Sequence, residues 1–550
     1  MRLFRYLLLA VFAQALTGSA RAELKVPAIF ADNMVLQRNA LLPVWGTASP
    51  GDEVYVTFEQ KTADGKREEG KSVIAGKDGK WMVKIGPYPP GGEPGTLSIK
   101  GTEKKDAPKG EKNSVAFKNV LIGEVWVCSG QSNMQWEMYR STLDPEANIK
   151  EAKFPAIRLF HVPRQAQPTP QSDIAVPARK AVPPAVNIDA RWVECSPENI
   201  RDFSAVAYFF GRSLYQQYKV PIGLINTSYG GTPAEAWTSR EALLAREDLK
   251  YYVENLDKSA ASYDPAAAKI AYDEAMAKYK LAFEQAKKDK TLAPRQPQPP
   301  GKPGSTANSP SGLYNAMIAP LVPYAIKGAI WYQGESNAGR AYEYRTLFPT
   351  MIEDWRAQWK QGDFPFLFVQ LAPYWNGDSA AATYAELRDS QLYTTKAVKN
   401  TAMAVISDHG DEKDIHPKQK QPVGDRLALA ARALAYGDTK VVYSGPIYKS
   451  RKVDGNKVIL NFDHVGDGLT AKEGKLIGFT IAGEDGPFVD ADAIIEGETV
   501  VVTSPNVAVP SNVRYGWRNY MTVNLFNKEG LPASPFRTDD LPYTTMPKKK

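Results

Sequence analysis

The chain of 550 residues contains only two cysteines and four histidines. Cys128 and Cys195 could form one disulfide bond if the chain is exported, or both could be buried free thiols. No Cys/His cluster has the spacing of metal ligands, so the sequence predicts no metal site. Because histidines are so few, a catalytic imidazole can be sought by elimination.

Long apolar runs are scarce as well. The one candidate is at the start, where Arg2 and Arg5 precede an apolar stretch at 6–16 and a small-x-small cleavage site at 20–22. This pattern predicts a secretory signal peptide over residues 1–22, which is too short to span a membrane. We therefore expect a soluble, secreted or periplasmic mature chain with no membrane span.

Positive charge is in slight excess. The formal net charge is +7, and removing residues 1–22, which carry three arginines and no acid, leaves +4. Part of the remainder is the terminal run of lysines at 548–550. An excess this diffuse does not form a nucleic-acid surface, so no nucleic-acid partner is predicted.

The pattern of apolar residues changes twice along the chain. Short alternating runs over 23–118 predict an N-terminal all-β domain resembling a small sandwich. Over 119–437, strand-like and helical runs alternate, which predicts an α/β catalytic domain with a parallel sheet flanked by helices. A helical and Pro-rich insertion interrupts this domain at about 256–311, and residues 438–550 predict a β-rich domain with a basic tail.

One turn in the α/β part has the position of a nucleophile. A mostly apolar run at 120–127 predicts a buried strand that ends at Ser129 and Gly130, and a helix can follow from Asn133. Ser132 then lies between a strand end and a helix start, where its hydroxyl is exposed and backbone N–H groups point at a developing oxyanion. The alternative is an ordinary Gly/Ser turn.

A serine nucleophile needs a base, and histidine is the usual one. His161 lies within an apolar run and is interpreted as structural, and His464 lies in a turn-like stretch of the distal β region. His409 and His416 both follow the last core strand, at the same sheet edge as Ser132. His416 is the better candidate because it immediately precedes Pro417 and a helical pattern.

Two loops at that edge offer donors to an oxyanion. Gly230 and Gly231 follow one predicted strand and permit close backbone approach to a substrate. Gln333 and Asn337 follow another and carry side-chain amides. The alternative for the glycine pair is a plain turn.

Several blocks together resemble a family: Gly-Gln-Ser-Asn-Met at 130–134, Gly-Gly-Thr-Pro at 230–233, Trp-Tyr-Gln-Gly-Glu-Ser at 331–336 and Asp-Ile-His-Pro at 414–417. They are similar to the bacterial sialate O-acetylesterases, carbohydrate acetylesterases of the SGNH-hydrolase superfamily. Two further blocks, at 30–38 with 43–46 and at 310–318, resemble the same family. The resemblance runs from about residue 24 to about residue 437 and implies an SGNH-hydrolase-like fold.

The resemblance also implies residue roles. Ser132 would be the nucleophile, His416 the base, and Gly231 and Gln333 would help to stabilise the oxyanion. The superfamily usually has Asp three residues before the histidine, but this position is Lys413.

Three arrangements remain open for the third catalytic group. Asp414 is nearest in sequence, Glu335 could reach the imidazole across the sheet edge, and a dyad could be oriented by a backbone carbonyl. Glu335 is favoured slightly.

The expected reaction is ester hydrolysis without a cofactor, on an O-acetylated carbohydrate that is most simply a sialic acid. An acetylated polysaccharide such as xylan is the alternative substrate. A non-catalytic carbohydrate-binding surface protein is the alternative function. The sequence leaves the oligomeric state open.

Overall fold

The computed structural model describes residues 23–102, 113–176, 189–297, 299–375, 377 and 382–547. The predicted signal peptide at 1–22 and the terminal lysines at 548–550 lie outside the described residues. Within them, a central sheet with helices on both faces is joined to two β-rich regions.

The N-terminal region contributes six strands before the central sheet begins. These are β1 (Val35–Gln37), β2 (Leu42–Thr47), β3 (Glu53–Thr62), β4 (Gly65–Ile74), β5 (Lys80–Ile85) and β6 (Gly95–Gly101). Strands β3, β4 and β6 form an antiparallel sheet, while β2 and β5 pair separately. Burial alternates along β3 and β5, as expected for strands with one face on a core.

The central sheet has seven strands along its main path. They are β7 (Ser114–Gly130), β8 (Phe154–His161), β9 (Trp192–Cys195), β10 (Ile222–Ser228), β11 (Gly328–Tyr332), β12 (Phe366–Val369) and β13 (Thr401–Ala404). Their order is β13-β12-β11-β7-β10-β8-β9, with β7 at the centre. All neighbours are parallel except β8 and β9. The sheet is therefore mixed, and the expectation of a purely parallel sheet is wrong at this edge, where β9 pairs antiparallel to β8.

Ten α-helices lie among the described residues. They are α1 (Ser132–Gln135), α2 (Pro145–Glu151), α3 (Pro197–Ile200), α4 (Ala205–Tyr218), α5 (Arg240–Leu244), α6 (Tyr251–Ala261), α7 (Pro265–Asp289), α8 (Ala341–Trp359), α9 (Thr383–Ala397) and α10 (Lys420–Tyr436). A π-helical turn spans Tyr314–Ile318.

Alternate residues of the central strands face two different cores. Trp126 and Cys128 of β7 share one core with apolar residues of α4 and α10. Val125 and Val127 share the other with α8 and α9. Helices thus cover both faces, which explains why these strands are continuous apolar runs.

Strand β7 is 17 residues long and belongs to two sheets. Its first part pairs antiparallel with β6, and its second part lies between β10 and β11. Burial along it changes from alternating to continuous at Val120. The predicted boundary between residues 118 and 119 therefore falls inside one strand, and the N-terminal sheet is continuous with the centre of the α/β sheet.

The C-terminal region is rich in short strands. They are β14 (Ile447–Asp454), β15 (Lys457–Asp463), β16 (Leu469–Ala471), β17 (Phe479–Ala482), β18 (Val489–Asp490), β19 (Asp492–Glu496), β20 (Thr499–Thr503), β21 (Asn512–Tyr515), β22 (Leu525–Asn527) and β23 (Phe536–Arg537). The run Val-Val-Tyr at 441–443 predicts a strand by its residue types. This prediction is wrong, because the stretch is coil. Buried Arg388 of α9 anchors the region by donating to the carbonyls of Arg518 and Asn519.

The predicted insertion contains a long exposed helix. Of the 25 residues of α7, only Ala286 is buried. Both cysteines are free, buried thiols, and burial raises the pKa of each. No helix in the described part of the chain is long and apolar enough to cross a bilayer.

Candidate active site

The structure places Ser132 at the carboxyl end of the central strand. Gly130 closes β7 with a φ of 135°, and a Cβ there would lie 2.2 Å from the carbonyl oxygen of Tyr332. Only glycine fits this turn, because both the left-handed conformation and the close approach exclude a side chain. Ser132 then begins α1 and remains partly exposed, so a substrate can reach its hydroxyl.

His416 lies directly against Ser132. Its Nε2 is 2.8 Å from the Ser132 Oγ, within hydrogen-bond distance. The loop after β13 brings it there, and α10 begins four residues later. The Trp136 ring stacks on the imidazole, with centroids 4.0 Å apart and planes inclined by 20°. The indole therefore restricts rotation of the imidazole while leaving Nε2 directed at the hydroxyl.

The surroundings of His416 favour its neutral form. Burial and the charges of Lys420 and Arg140 together lower the pKa of the imidazole to about 4, and the charge of Asp414 opposes this shift. A neutral imidazole can accept the serine proton, so the group is in its basic form across the neutral pH range.

The loop that carries Gly230 and Gly231 lies close to Ser132. No acceptor for the N–H groups of Ser132 and Gly231 occurs in the described part of the chain. Gly231 is exposed with a φ of 75°, and Gly230 is close enough that a Cβ there would lie 3.2 Å from the Ser132 Cβ. The glycine loop thus approaches Ser132 closely.

Gln333 is placed differently from what the resemblance implies. Its side chain is fully buried, and its Nε2 donates to the Thr232 carbonyl at 3.3 Å and to Asn337 Oδ1 at 2.6 Å. Its Oε1 accepts from the Tyr344 hydroxyl at 2.9 Å. The amide donors are therefore used to hold the loop that carries Gly231.

Neither candidate acid forms a hydrogen bond with the imidazole. Asp414 Oδ1 is 3.7 Å from His416 Nδ1 and accepts instead from the His416 backbone N–H at 2.8 Å. Glu335 Oε1 accepts from the Asn133 amide. Its Oε2 is buried without a partner among the described residues, and burial raises the pKa of the carboxyl.

The helical turn at Ser132 is hydrogen-bonded to the loops around it. Gln131 Oε1 accepts from the backbone N–H groups of Gly334 and Ser336 at 3.4 and 3.2 Å. Gln135 Oε1 accepts from the Gly230 N–H at 2.7 Å. Gln131 belongs to the Gly-Gln-Ser-Asn-Met block at 130–134, but the sequence predicted no role for it. The sequence does contain a signal for such a role, because the amide side chains of Gln131, Asn133 and Gln135 surround one serine.

Two other residues were missed entirely as parts of the site. Asn133 donates to the Ile415 carbonyl at 3.0 Å and accepts from the Lys420 ammonium. Asn133 stands in the nucleophile block and could have been suspected. Lys420 is one of 68 lysines and arginines, and nothing in the sequence distinguishes it.

The remaining histidines lie elsewhere. His409 Nε2 is 3.4 Å from Asp408, His161 Nδ1 is 3.0 Å from Asp189, and His464 packs against a tyrosine ring in the C-terminal region. In the described part of the chain, no group of three or more His, Cys, Asp or Glu could hold a metal ion.

A serine hydroxyl in contact with a neutral imidazole can perform acyl transfer when nearby backbone N–H groups, here without acceptors in the described ranges, can bind the oxyanion. The class of protein that this chemistry and the α/β sheet define is an ester hydrolase.

Comparison with known proteins narrows the class. A family model described as a carbohydrate esterase, sialic acid-specific acetylesterase, matches residues 304–433. The sialate O-acetylesterase of Homo sapiens is 31% identical over 459 residues, covering 79% of this chain and 75% of the human protein. That of Mus musculus is 31% identical over 465 residues, covering 80% and 78%. A solved carbohydrate acetylesterase from Xanthomonas citri has a TM-score of 0.74 and 34% identity, covering 94% of this chain and 100% of that one.

The chain belongs to the sialate O-acetylesterase family of carbohydrate esterases. It is a carboxylic ester hydrolase that removes O-acetyl groups from carbohydrates. The alternative of a non-catalytic carbohydrate-binding protein has no support from these findings.

Proposed function

We propose that this enzyme releases acetate from O-acetylated sialic acids, with Ser132 as nucleophile and His416 as general base. The observation that carries the mechanism is the 2.8 Å contact between His416 Nε2 and Ser132 Oγ. The sugar is suggested by the names of the mammalian relatives, which are sialate O-acetylesterases.

The reaction proceeds by double displacement. His416 Nε2 takes the proton of Ser132 while Oγ attacks the acetyl carbonyl carbon. The tetrahedral intermediate collapses, the imidazolium gives its proton to the departing sugar oxygen, and an acetyl-serine remains. Water then attacks this ester with His416 again as base, and acetate leaves as Ser132 recovers its proton. No cofactor takes part.

The oxyanion is held by the backbone N–H groups of Ser132 and Gly231, which have no other acceptor among the residues that the structure describes. Each such donor is typically worth about 10²–10³ in kcat. Gln333 acts on the oxyanion through the loop that it holds, since its own amide hydrogens are engaged. Of the two acids, Asp414 lies closer to the imidazole and has the more direct electrostatic effect on it.

The wider assignments are proposals of the same kind. An SGNH-hydrolase-like arrangement is supported by the order of serine, glycine-loop and histidine blocks at one sheet edge. A secreted or periplasmic location is supported by the signal-peptide pattern at 1–22. A division near 118 and 437 is supported by the changes in apolar pattern, although β7 links the first two regions.

The test is acetate release by the mature protein from p-nitrophenyl acetate and from an O-acetylated sialic acid. Ser132→Ala and His416→Ala should both abolish turnover of both esters. His464→Asn is the matched control, because asparagine tolerates the positive φ of 59° at this distant position.

Activity that survives Ser132→Ala would refute the serine mechanism. Turnover of acetylated xylan with no turnover of the sialic acid ester would refute the sugar assignment and leave the mechanism standing.

A further inference from the structure

Lys420 is a buried lysine that the mechanism above does not use. It is the first residue of α10 and is 1% exposed. Its Nζ donates to Asn133 Oδ1 and lies 5.4 Å from the centroid of the Tyr332 ring. It forms no ion pair within 4.0 Å in the described part of the chain. Burying an ammonium in this way is costly, and so it is more readily explained by function than by stability.

The partner of Lys420 links the two reacting residues. Asn133 follows Ser132 in the chain, and its Nδ2 donates to the carbonyl of Ile415, the residue before His416, at 3.0 Å. The same nitrogen donates to Glu335 Oε1. One amide therefore joins the nucleophile turn to the histidine loop.

The orientation of that amide depends on the lysine. An ammonium can only donate, so it must face the amide oxygen. The Ile415 carbonyl and the Glu335 carboxylate can only accept, so they must face the amide nitrogen. Lys420 adds a third contact at the opposite end of the amide, and without it the buried amide oxygen of Asn133 loses its donor. Only the two acceptors at the nitrogen would then hold the amide that joins the two loops.

We propose that Lys420 is a positioning residue that fixes the Asn133 amide, and thereby the distance between Ser132 and His416. Its positive charge adds to the effect of burial in disfavouring protonation of the imidazole. The inference rests on the proposed roles of Ser132 and His416. Glu335, which sequence reasoning favoured as a partner of the imidazole, belongs instead to this network behind it.

The charges around the imidazole are consistent with this role. Lys420 and Arg140 disfavour its protonation, whereas Asp414 favours it. Burial lowers the pKa of Lys420 itself to about 7, and the charges of Glu335 and Asp414 oppose that shift. Lys420 is therefore charged at acidic pH, where His416 is most readily protonated.

The test compares Lys420→Met with the parent in the full mature chain, measuring kcat and KM for an acetyl ester from about pH 3 to about pH 9. Misplaced reacting groups can cost about 10²-fold, and we expect a loss of about this size in kcat with little change in KM. The acid limb of kcat/KM should move upward from about 4 toward the ordinary 6.5 of histidine. Lys418→Met, the same change at an exposed lysine, should leave both quantities unaltered.

Two further variants keep the test decisive. Lys420→Arg retains a charged donor, so it should recover part of kcat and return the limb toward 4. If Lys420→Met does not fold, Lys420→Met with Glu335→Gln removes both buried charges and should show the same loss and shift.

A folded Lys420→Met protein with the parental kcat and acid limb would overturn the inference. A lower melting temperature with an unmoved limb would reduce Lys420 to a structural residue and would also overturn it. Failure of the proposed function is recognised separately, because Ser132→Ala would then remain active.

Discussion

The unusual electrostatics of His416 predict catalysis at acidic pH. Only the neutral imidazole can accept the proton of Ser132, so activity should follow its neutral fraction. With the pKa lowered to about 4 by burial, Lys420 and Arg140, about nine tenths of the imidazole is neutral at pH 5. With the ordinary pKa of 6.5, only about 3% would be. The two cases differ about 30-fold in kcat/KM at that pH.

The measurement is the pH profile of kcat/KM, followed by acetate release because the colour of p-nitrophenol fades in acid. Folding must be monitored in parallel. The folded pKa lies below the unfolded value, so the unfolded chain binds the proton first. The contribution of His416 to stability is therefore present above about pH 6.5 and lost as the pH falls toward about 4. An acid limb between pH 6 and 7 in protein that is still folded would refute the reasoning.

Two further predictions concern the architecture of the site. Gly130→Ala should prevent correct folding of the nucleophile turn, because its Cβ would lie 2.2 Å from the Tyr332 carbonyl oxygen; Gly339→Ala, where a Cβ meets nothing within 4 Å, is the control. Comparable melting temperature and activity in the two variants would contradict this. Gln333→Ala should lower the free energy of unfolding by about 1–3 kcal/mol, since it leaves buried polar partners unpaired, and should lower kcat through the Gly231 loop. A denaturant melt and steady-state kinetics check it, and an unchanged kcat would remove Gln333 from the site.

Core strands were predictable because burial on both faces demands continuous apolar runs. Apolar runs at 221–228, 328–333 and 366–370 predict strands. They match β10, β11 and β12 to within one residue at each end. The antiparallel edge strand β9 was not predicted, because four residues with only their ends buried give no clear period. The apolar pattern of the sequence changes at Val120. Its cause is burial of one continuous strand on both faces, which local sequence cannot distinguish from a new domain.

The candidate nucleophile and base were easier to predict than the residues that hold them in place. Ser132 and His416 could be proposed from the sequence because nucleophile and base chemistry restricts the residue types, and four histidines leave few choices. The supporting contacts join residues about 200 to 290 positions apart, and no local pattern encodes them.

Asp414 and Glu335 are candidates for the third catalytic group only if a single carboxylate orients the imidazole. Here Trp136 stacks on its face, Asp414 holds the backbone N–H of His416, and Asn133 holds the carbonyl of the preceding residue. These three contacts restrict the ring, the peptide and the loop in turn, so the geometry does not require a hydrogen bond from Nδ1–H to a carboxylate. The absence of an aspartate at position 413 is then understandable, because the orientation it would supply is distributed over groups from different elements.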